Sequence, residues 1–436
     1  LLAALAGCGR ASPPGTASNV VVSQPASAGG GGTSMPVSGS GGGPASAIAG
    51  ATGSEAGRMS ASGEARPQGA AGAAATATAG SNASGESAGA PAEPPVSEKP
   101  RHAVSADFLS KTLSVVDVDK LTEGASRQDA LIGSVDLSMY SPGPLAVAVT
   151  PDGKTALASI SGGWLGLVTS GIPAGDGTLV FVDLETRKVK GELFTGASPM
   201  GIAIAPDGKH AFVGQLSDTY ISYVDIEKQS YQPISTGNQW NEELAIDDSG
   251  TIGALTTGTA GDSMSFSVMN PMSHGQTLGL TGDAGGVAFF PGTKFAFVVQ
   301  APTMLTGNTG GYNVLDLSDP ASPNATDNQR VVGDTRQAYP VTAVKRRNSV
   351  VYPVSDSGKL SLIEMKLDAG KATMVQTVSA GDAQFSYGLT ATPDGKILAC
   401  AGGEHFVAVV DLDTGKSFTV PWGTTEMGPM DIEMIP

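Results

Sequence analysis

The chain has 436 residues and carries 25 basic against 41 acidic side chains, a formal charge of −16. Setting aside the four basic and five acidic residues that precede residue 101 leaves 21 against 36, so residues 101–436 carry −15. That balance excludes a nucleic-acid partner, which would need clustered Lys and Arg to displace counterions, and no stretch after Cys8 is long and apolar enough to span a bilayer.

Leu1 to Gly7 is small and apolar and ends in the order Leu5-Ala6-Gly7-Cys8. That order resembles a bacterial lipobox, which implies cleavage before Cys8 and acylation of its thiol, so that a lipid anchor is the membrane attachment. A basic n-region is absent, and residues 1–8 are therefore read as the last part of a signal peptide. Gly9 stands where an Asp would suggest inner-membrane retention, so the expected address is the outer membrane, on its periplasmic or outer side. Residues 9–100 follow as a linker of Gly, Ala, Ser and Pro, with runs such as Gly29–Gly32 and Gly69–Ala79. Too few large apolar side chains are present to offset the entropy of ordering it, so it is expected to be a disordered tether with a root-mean-square span on the order of 50 Å.

From residue 101 the character changes. HAVSADF, TLSVVDV and LIGSVDL, between His102 and Leu137, read as three short strands with no strand ahead of them. A fuller unit then recurs. First strands are GPLAVAVTPDGK from Gly143, SPMGIAIAPDGK from Ser198, WNEELAIDDSG from Trp240, AGGVAFFPGTK from Ala284, AYPVTAVKRRN from Ala338 and FSYGLTATPDGK from Phe385, with GPMDIEMIP from Gly428 to Pro436 as a seventh. In the unit at Ser198, Met200, Ile202 and Ile204 alternate with the period of a half-buried strand. Pro206-Asp207-Gly208 then supplies a fixed φ, an Asx-turn acceptor and a residue free to take φ > 0, hence a tight hairpin. Second, third and fourth strands follow at His210–Gln215, Tyr220–Asp225 and Tyr231–Ser235. Third strands reach a polar residue suited to cap the next turn at Asp117, Asp183, Asp225, Asn270, Asp316, Glu364 and Asp411.

Seven repeats of a four-stranded unit cannot each bury two faces alone, so the pattern predicts sheets stacked around an axis. The strand Gly428–Pro436 would complete the partial unit at His102–Leu137 and clasp the ring. The PDGK turn followed by AFV and YVDI resembles the YVTN family of seven-bladed β-propellers over roughly His102–Pro436; the turn motif is lost in the units at Trp240, Ala284 and Ala338. The expected fold is therefore all-β, a seven-bladed β-propeller at 101–436 with an N/C-terminal strand clasp, preceded by the tether. The resemblance takes in surface proteins, lactonase-like enzymes and subunits of redox enzymes, and so leaves the activity open.

Propeller geometry puts first-strand starts and second-to-third-strand loops on one face. That face gathers Trp164, Met200, Trp240, Glu242, Glu243, Asp283, Asp334, Arg336, Tyr339, Asp382, Tyr387, Met430 and Asp431, a funnel of carboxylates, aromatics and methionines. His405, beside Glu404 in such a loop, and Arg336 are the candidate catalytic groups, although adjacent loop residues rarely face one another. Haem, zinc, phosphate-loop and nucleophile-elbow motifs are missing, and no cofactor is evident; Ca²⁺ held by the mouth carboxylates is the one metal reading. Cys400, in a second strand, reads as a buried inert thiol. The reading that results is a monomeric, lipid-anchored envelope propeller that is a binding scaffold for a protein, glycan or small cationic ligand rather than an enzyme. A lactonase-like hydrolase using Glu242, Glu243, Arg336 and His405 is one alternative, and a redox-accessory propeller docking a cofactor subunit is another.

Overall fold

The computed structural model describes residues 100–161, 177–257, 262–267, 274–279, 283–301, 309–332, 340–423 and 428–436. The lipobox, Cys8 and the linker lie outside them. The described residues fold as an all-β β-propeller built of seven four-stranded antiparallel sheets. Six are blades of four strands consecutive in the chain. The first blade is Pro144–Val149, Thr155–Ile160, Gly177–Asp183 and Lys188–Gly196, and the second is Pro199–Ile204, His210–Gln215, Tyr220–Asp225 and Ser230–Ser235. The third blade runs from Leu244–Ile246 to His274–Gly279, the fourth from Asp283–Phe289 to Asn324–Val332, the fifth from Thr342–Val344 to Lys371–Gly381 and the sixth from Gly388–Ala391 to Lys416–Pro421. Counted as units written in one piece, the blades therefore number six rather than seven. The remaining sheet is a composite: Pro429–Ile435, the last strand, pairs with His102–Asp107, beside which lie Thr112–Asp117 and Leu131–Asp136.

The burial pattern follows from this stacking. Inner second strands such as Thr155–Ile160 are buried on both faces, because a neighbouring sheet covers each side, whereas the outer strand Lys188–Gly196 alternates exposed and covered residues. The core is accordingly divided among the sheet interfaces. Val104, Leu113 and Val135 of the composite sheet pack on Val147, Ala158 and Val180 of the first blade; on the composite sheet's other side, Ala103, Val116 and Ile432 pack on Leu398, Val407 and Trp422 of the sixth. Equivalent apolar clusters lie between the first and second blades, the second and third, and so on to the fifth and sixth. The first strands of neighbouring sheets touch in a closed circle, with the last strand between Pro144–Val149 and Gly388–Ala391.

The hairpin turns form as their residues dictate: Asp152 Oδ1 accepts from the Lys154 amide at 3.1 Å and Asp207 Oδ1 from the Lys209 amide at 2.8 Å, while Gly153 and Gly208 take φ of 71° and 67°. The structure departs from the sequence reading in two places. Residues 118–130 contain two short helices, Val118–Thr122, capped by Asp117, and Arg127–Ala130, capped by Ser126. They form because they bury Val118, Leu121 and Ala130 over the composite sheet, a gain that the periodicity of two did not disclose. Glu364 caps no turn. It is fully buried within Lys359–Asp368, where it accepts from Arg347 Nε at 2.8 Å, Arg347 Nη2 at 3.0 Å, Ser349 Oγ at 2.7 Å and Gln376 Nε2 at 2.8 Å. These bonds and the guanidinium hold its carboxyl below the usual range against the opposing effect of burial. Among the described residues no helix is long and apolar enough to cross a membrane.

Candidate binding mouth and axial carboxylates

Antiparallel register fixes which residues share a face. The start of each first strand lies opposite the end of the second: Pro199 opposite Gln215, Leu244 opposite Leu255, Gly388 opposite Cys400, and in the composite sheet Pro429 opposite Asp107. First-strand starts from different sheets therefore converge around the axis at one end of the ring. There Met200, Trp240 and Tyr387 pack, half-buried, on a floor of Phe108, Leu145, Leu216 and Met430. Met430 thus belongs to the buried floor of the mouth and not to its open surface, being 1% exposed.

Trp240 is held in a conformation that a bulky residue rarely takes, with φ of 64°, and its amide donates to Leu216 O at 2.8 Å. What enforces it is Asn241, fully buried, whose Nδ2 lies within 2.9–3.3 Å of the carbonyl oxygens of Gln215, Asp218, Tyr220 and Asn238. Its Oδ1 accepts from Thr257 Oγ1 at 2.8 Å. Asn241 escaped sequence reasoning because an Asn in a loop is an ordinary turn residue; only the convergence of four carbonyls marks it as the anchor of the mouth. The chain beyond it is pinned as well. The Gly201 amide donates to Glu242 O at 2.9 Å, and the Glu243 amide donates to Thr256 Oγ1 at 3.1 Å.

Next to this apolar layer lies an acidic one. Glu243 Oε2 sits over Gly201, which has no room for a Cβ, and Asp431 sits over Gly388 in the same way. Met200, Tyr387 and Met430 are thus the chain neighbours of Gly201, Gly388 and Asp431, so the two layers are contiguous along the axis. Asp431 Oδ2 accepts from the Val147 amide at 2.9 Å and Oδ1 from the Ile432 amide at 2.9 Å. Glu433, two residues on and on the same side of the last strand, is the third member; sequence reasoning passed over it because nothing local distinguishes it. Each of the three is half-buried. Burial pushes Asp431 up to about 6, partly offset by its two amide donors; burial, with the nearby charge of Asp431 added, pushes Glu243 and Glu433 up to about 8. Among the described residues no Lys or Arg is paired with any of them.

The other sequence candidates fall elsewhere. Trp164, Asp334, Arg336 and Tyr339 lie outside the described residues, and Asp283 is placed only as the first residue of its strand. Asp382 is exposed and ion-paired with Lys359 at 2.6 Å. His405 takes φ of 63° beside Glu404, whose Oε1 accepts from the Gln384 amide at 2.9 Å; the buried Nδ1 of His405 and Oε2 of Glu404 have no hydrogen-bond partner, so the two adjacent side chains are not joined as base and orienting carboxylate. Cys400 is fully buried, and burial, with Asp431 and Asp107 adding to it, raises its thiol well above the ordinary range, the opposite of a reactive cysteine. Among the described residues no group of three or more His, Cys, Asp or Glu is arranged to hold a metal ion.

Comparison with known proteins gives the fold alone. No protein-family model matches the chain, and no curated protein matches it. Among solved structures it is similar to a putative 6-phosphogluconolactonase from Bacteroides fragilis, with a TM-score of 0.58 and 13% identity over 79% of this chain and 100% of that one. It is also similar to a functionally unknown protein from Desulfotomaculum acetoxidans, with a TM-score of 0.57 and 15% identity over 76% and 98%. A third is Kuenenia stuttgartiensis hydrazine synthase, with a TM-score of 0.54 and 17% identity over 66% and 89%.

Proposed function

We propose that the chain is a binding scaffold, a seven-bladed propeller of the YVTN type in which the composite sheet counts as the seventh blade, and that its mouth takes a small organic cation with an apolar body. The observation that carries this reading is the contiguity of the two layers: Met200, Trp240 and Tyr387 offer polarisable and aromatic surface, and next to them Glu243, Asp431 and Glu433 are carboxyls without a basic partner among the described residues, held partly protonated by burial, so that a bound cation takes the place of a proton. A cation whose apolar part lies on Trp240 and whose charge faces Glu243 gains both terms. An alkyltrimethylammonium probe is expected to bind and quench tryptophan fluorescence, with affinity reduced about tenfold or more by Trp240→Ala and by Glu243→Gln. Failure to bind, or equal binding of an alkyl sulfonate of the same length, rejects the reading. The hydrolysis named for the Bacteroides fragilis neighbour has less support here, because the acidic axis repels a phosphorylated substrate.

The attachment proposed with it is a lipid on Cys8, with the Gly-, Ala- and Ser-rich segment as tether to the outer membrane of a bacterial envelope, on the strength of the order Leu5-Ala6-Gly7-Cys8. Cys8→Ser in the full precursor is expected to move the protein from the detergent to the aqueous phase on Triton X-114 partition, and unaltered partition rejects the anchor.

A further inference from the structure

We propose that the hold of the last strand on the ring is controlled by protons: Pro429–Ile435 stays seated while Glu243, Asp431 and Glu433 share protons, and is released as all three become ionised. Two of the three carboxylates belong to the strand that joins the end of the propeller to its beginning, and the third approaches from the entrance of the third blade, across the Gly201 surface. Ionising all three sets like charges against one another around the axis, and unseating the strand returns Asp431 and Glu433 to water and separates both from Glu243. The seated strand is otherwise held by its ladder to His102–Asp107, by the Val147 amide on Asp431 and by the buried Met430 and Ile432.

Among the described residues the surroundings contain no nearby counter-charge to replace the proton. The elements packed on the last strand are His102–Asp107, Pro144–Val149, Gly388–Ala391 and Lys396–Ala401. Their titratable side chains are His102, Asp107, Lys396 and Cys400. His102 is at the far end of the ladder, opposite Ile435. Asp107 is engaged by Ser105, Ser114, Arg127 and Trp422. Lys396 is 3.6 Å from Asp394, and Cys400 is a neutral buried thiol. The elements packed around Glu243 are Pro199–Ile204, His210–Gln215, Ile252–Thr257 and Asp283–Phe289, together with the adjacent Glu242. They bring His210, tied to Asp207 at 2.8 Å, and the acid Asp283.

The sign follows from which state holds the protons. Glu243 and Glu433 are pushed up to about 8 in the seated state, above ordinary carboxylates, so the seated strand binds protons that the released strand gives up. Seating is therefore favoured at low pH and lost as pH rises through about 8. The test is amide hydrogen exchange on the whole protein from pH 6 to 9, corrected for the intrinsic base-catalysed rate. The expected result is that the opening constant of Met430, Ile432 and Met434 amides rises about tenfold or more between pH 6 and 8, while amides of Tyr220–Asp225 and Ser349–Asp356, in blades that do not pack on the last strand, change far less. Glu243→Gln with Glu433→Gln should flatten that rise. If the double variant does not fold, each single variant should reduce it in part. Protection of the last strand that tracks the other strands, or that falls as steeply in the variants as in the native chain, overturns the proposal.

Discussion

Deleting Gly428–Pro436 is expected to unfold the propeller near physiological temperature, while deleting the equally long segment 30–38 should leave its melting temperature unchanged. The last strand supplies one whole strand of the composite sheet, in register with His102–Asp107 from Ile435 opposite His102 to Pro429 opposite Asp107. It also buries Met430 and Ile432, at 1% and 0% exposure. Burial of two such side chains is worth roughly 2–3 kcal/mol each. The deletion also exposes the apolar faces of the composite sheet and sixth blade at Ala103, Val116 and Leu398. Against a total stability of about 5–15 kcal/mol for an ordinary domain, a loss of that size removes most of the margin. Differential scanning calorimetry of the two deletions decides it: equal melting temperatures would show that the ring does not depend on the strand that completes it.

Asp107→Ala should be the most damaging single substitution away from the apolar core, at about 3–5 kcal/mol. Asp107 is 2% exposed and accepts from Ser105 Oγ at 2.8 Å, Ser114 Oγ at 2.5 Å, Arg127 Nη2 at 3.1 Å and Trp422 Nε1 at 2.9 Å. Arg127 in turn lies over the Trp422 ring, 5.4 Å from its centroid. Removing the carboxylate takes away an acceptor from two buried serine hydroxyls and a buried indole N–H, and it deprives Arg127 of its anion. The bond to Trp422 spans 315 residues of sequence, so the same carboxylate also links the composite sheet to the sixth blade. Trp422→Phe removes one of five donors, Thr112 Oγ1 at 3.4 Å being the fifth, and should cost about 1 kcal/mol. Urea unfolding of the two variants separates these values, and a loss below about 1 kcal/mol for Asp107→Ala would refute the role given to this cluster.

The sequence by itself determined what depends on neighbours along the chain. Alternation at Met200, Ile202 and Ile204, the Asp207 turn and the recurrence of that unit predicted strands, hairpins and a propeller, because each signal acts within a few residues. The pairing of the last strand with His102–Asp107 was also legible, since a unit lacking its first strand and a strand lacking its unit imply each other. The tertiary structure alone decided which polar groups meet. Glu243 and Asp431 were legible as residues of one face, but their coupling, and the membership of Glu433, follow from bringing the third blade and the last strand to a common axis. Asn241 became an anchor only when four carbonyls from two loops converged on its amide. Glu364 turned from an expected turn cap into a buried acceptor because Arg347, Ser349 and Gln376 approach it from three strands or turns. In each case the energy comes from desolvation and from partners distant in sequence, quantities that exist only once the sheets have closed around one another.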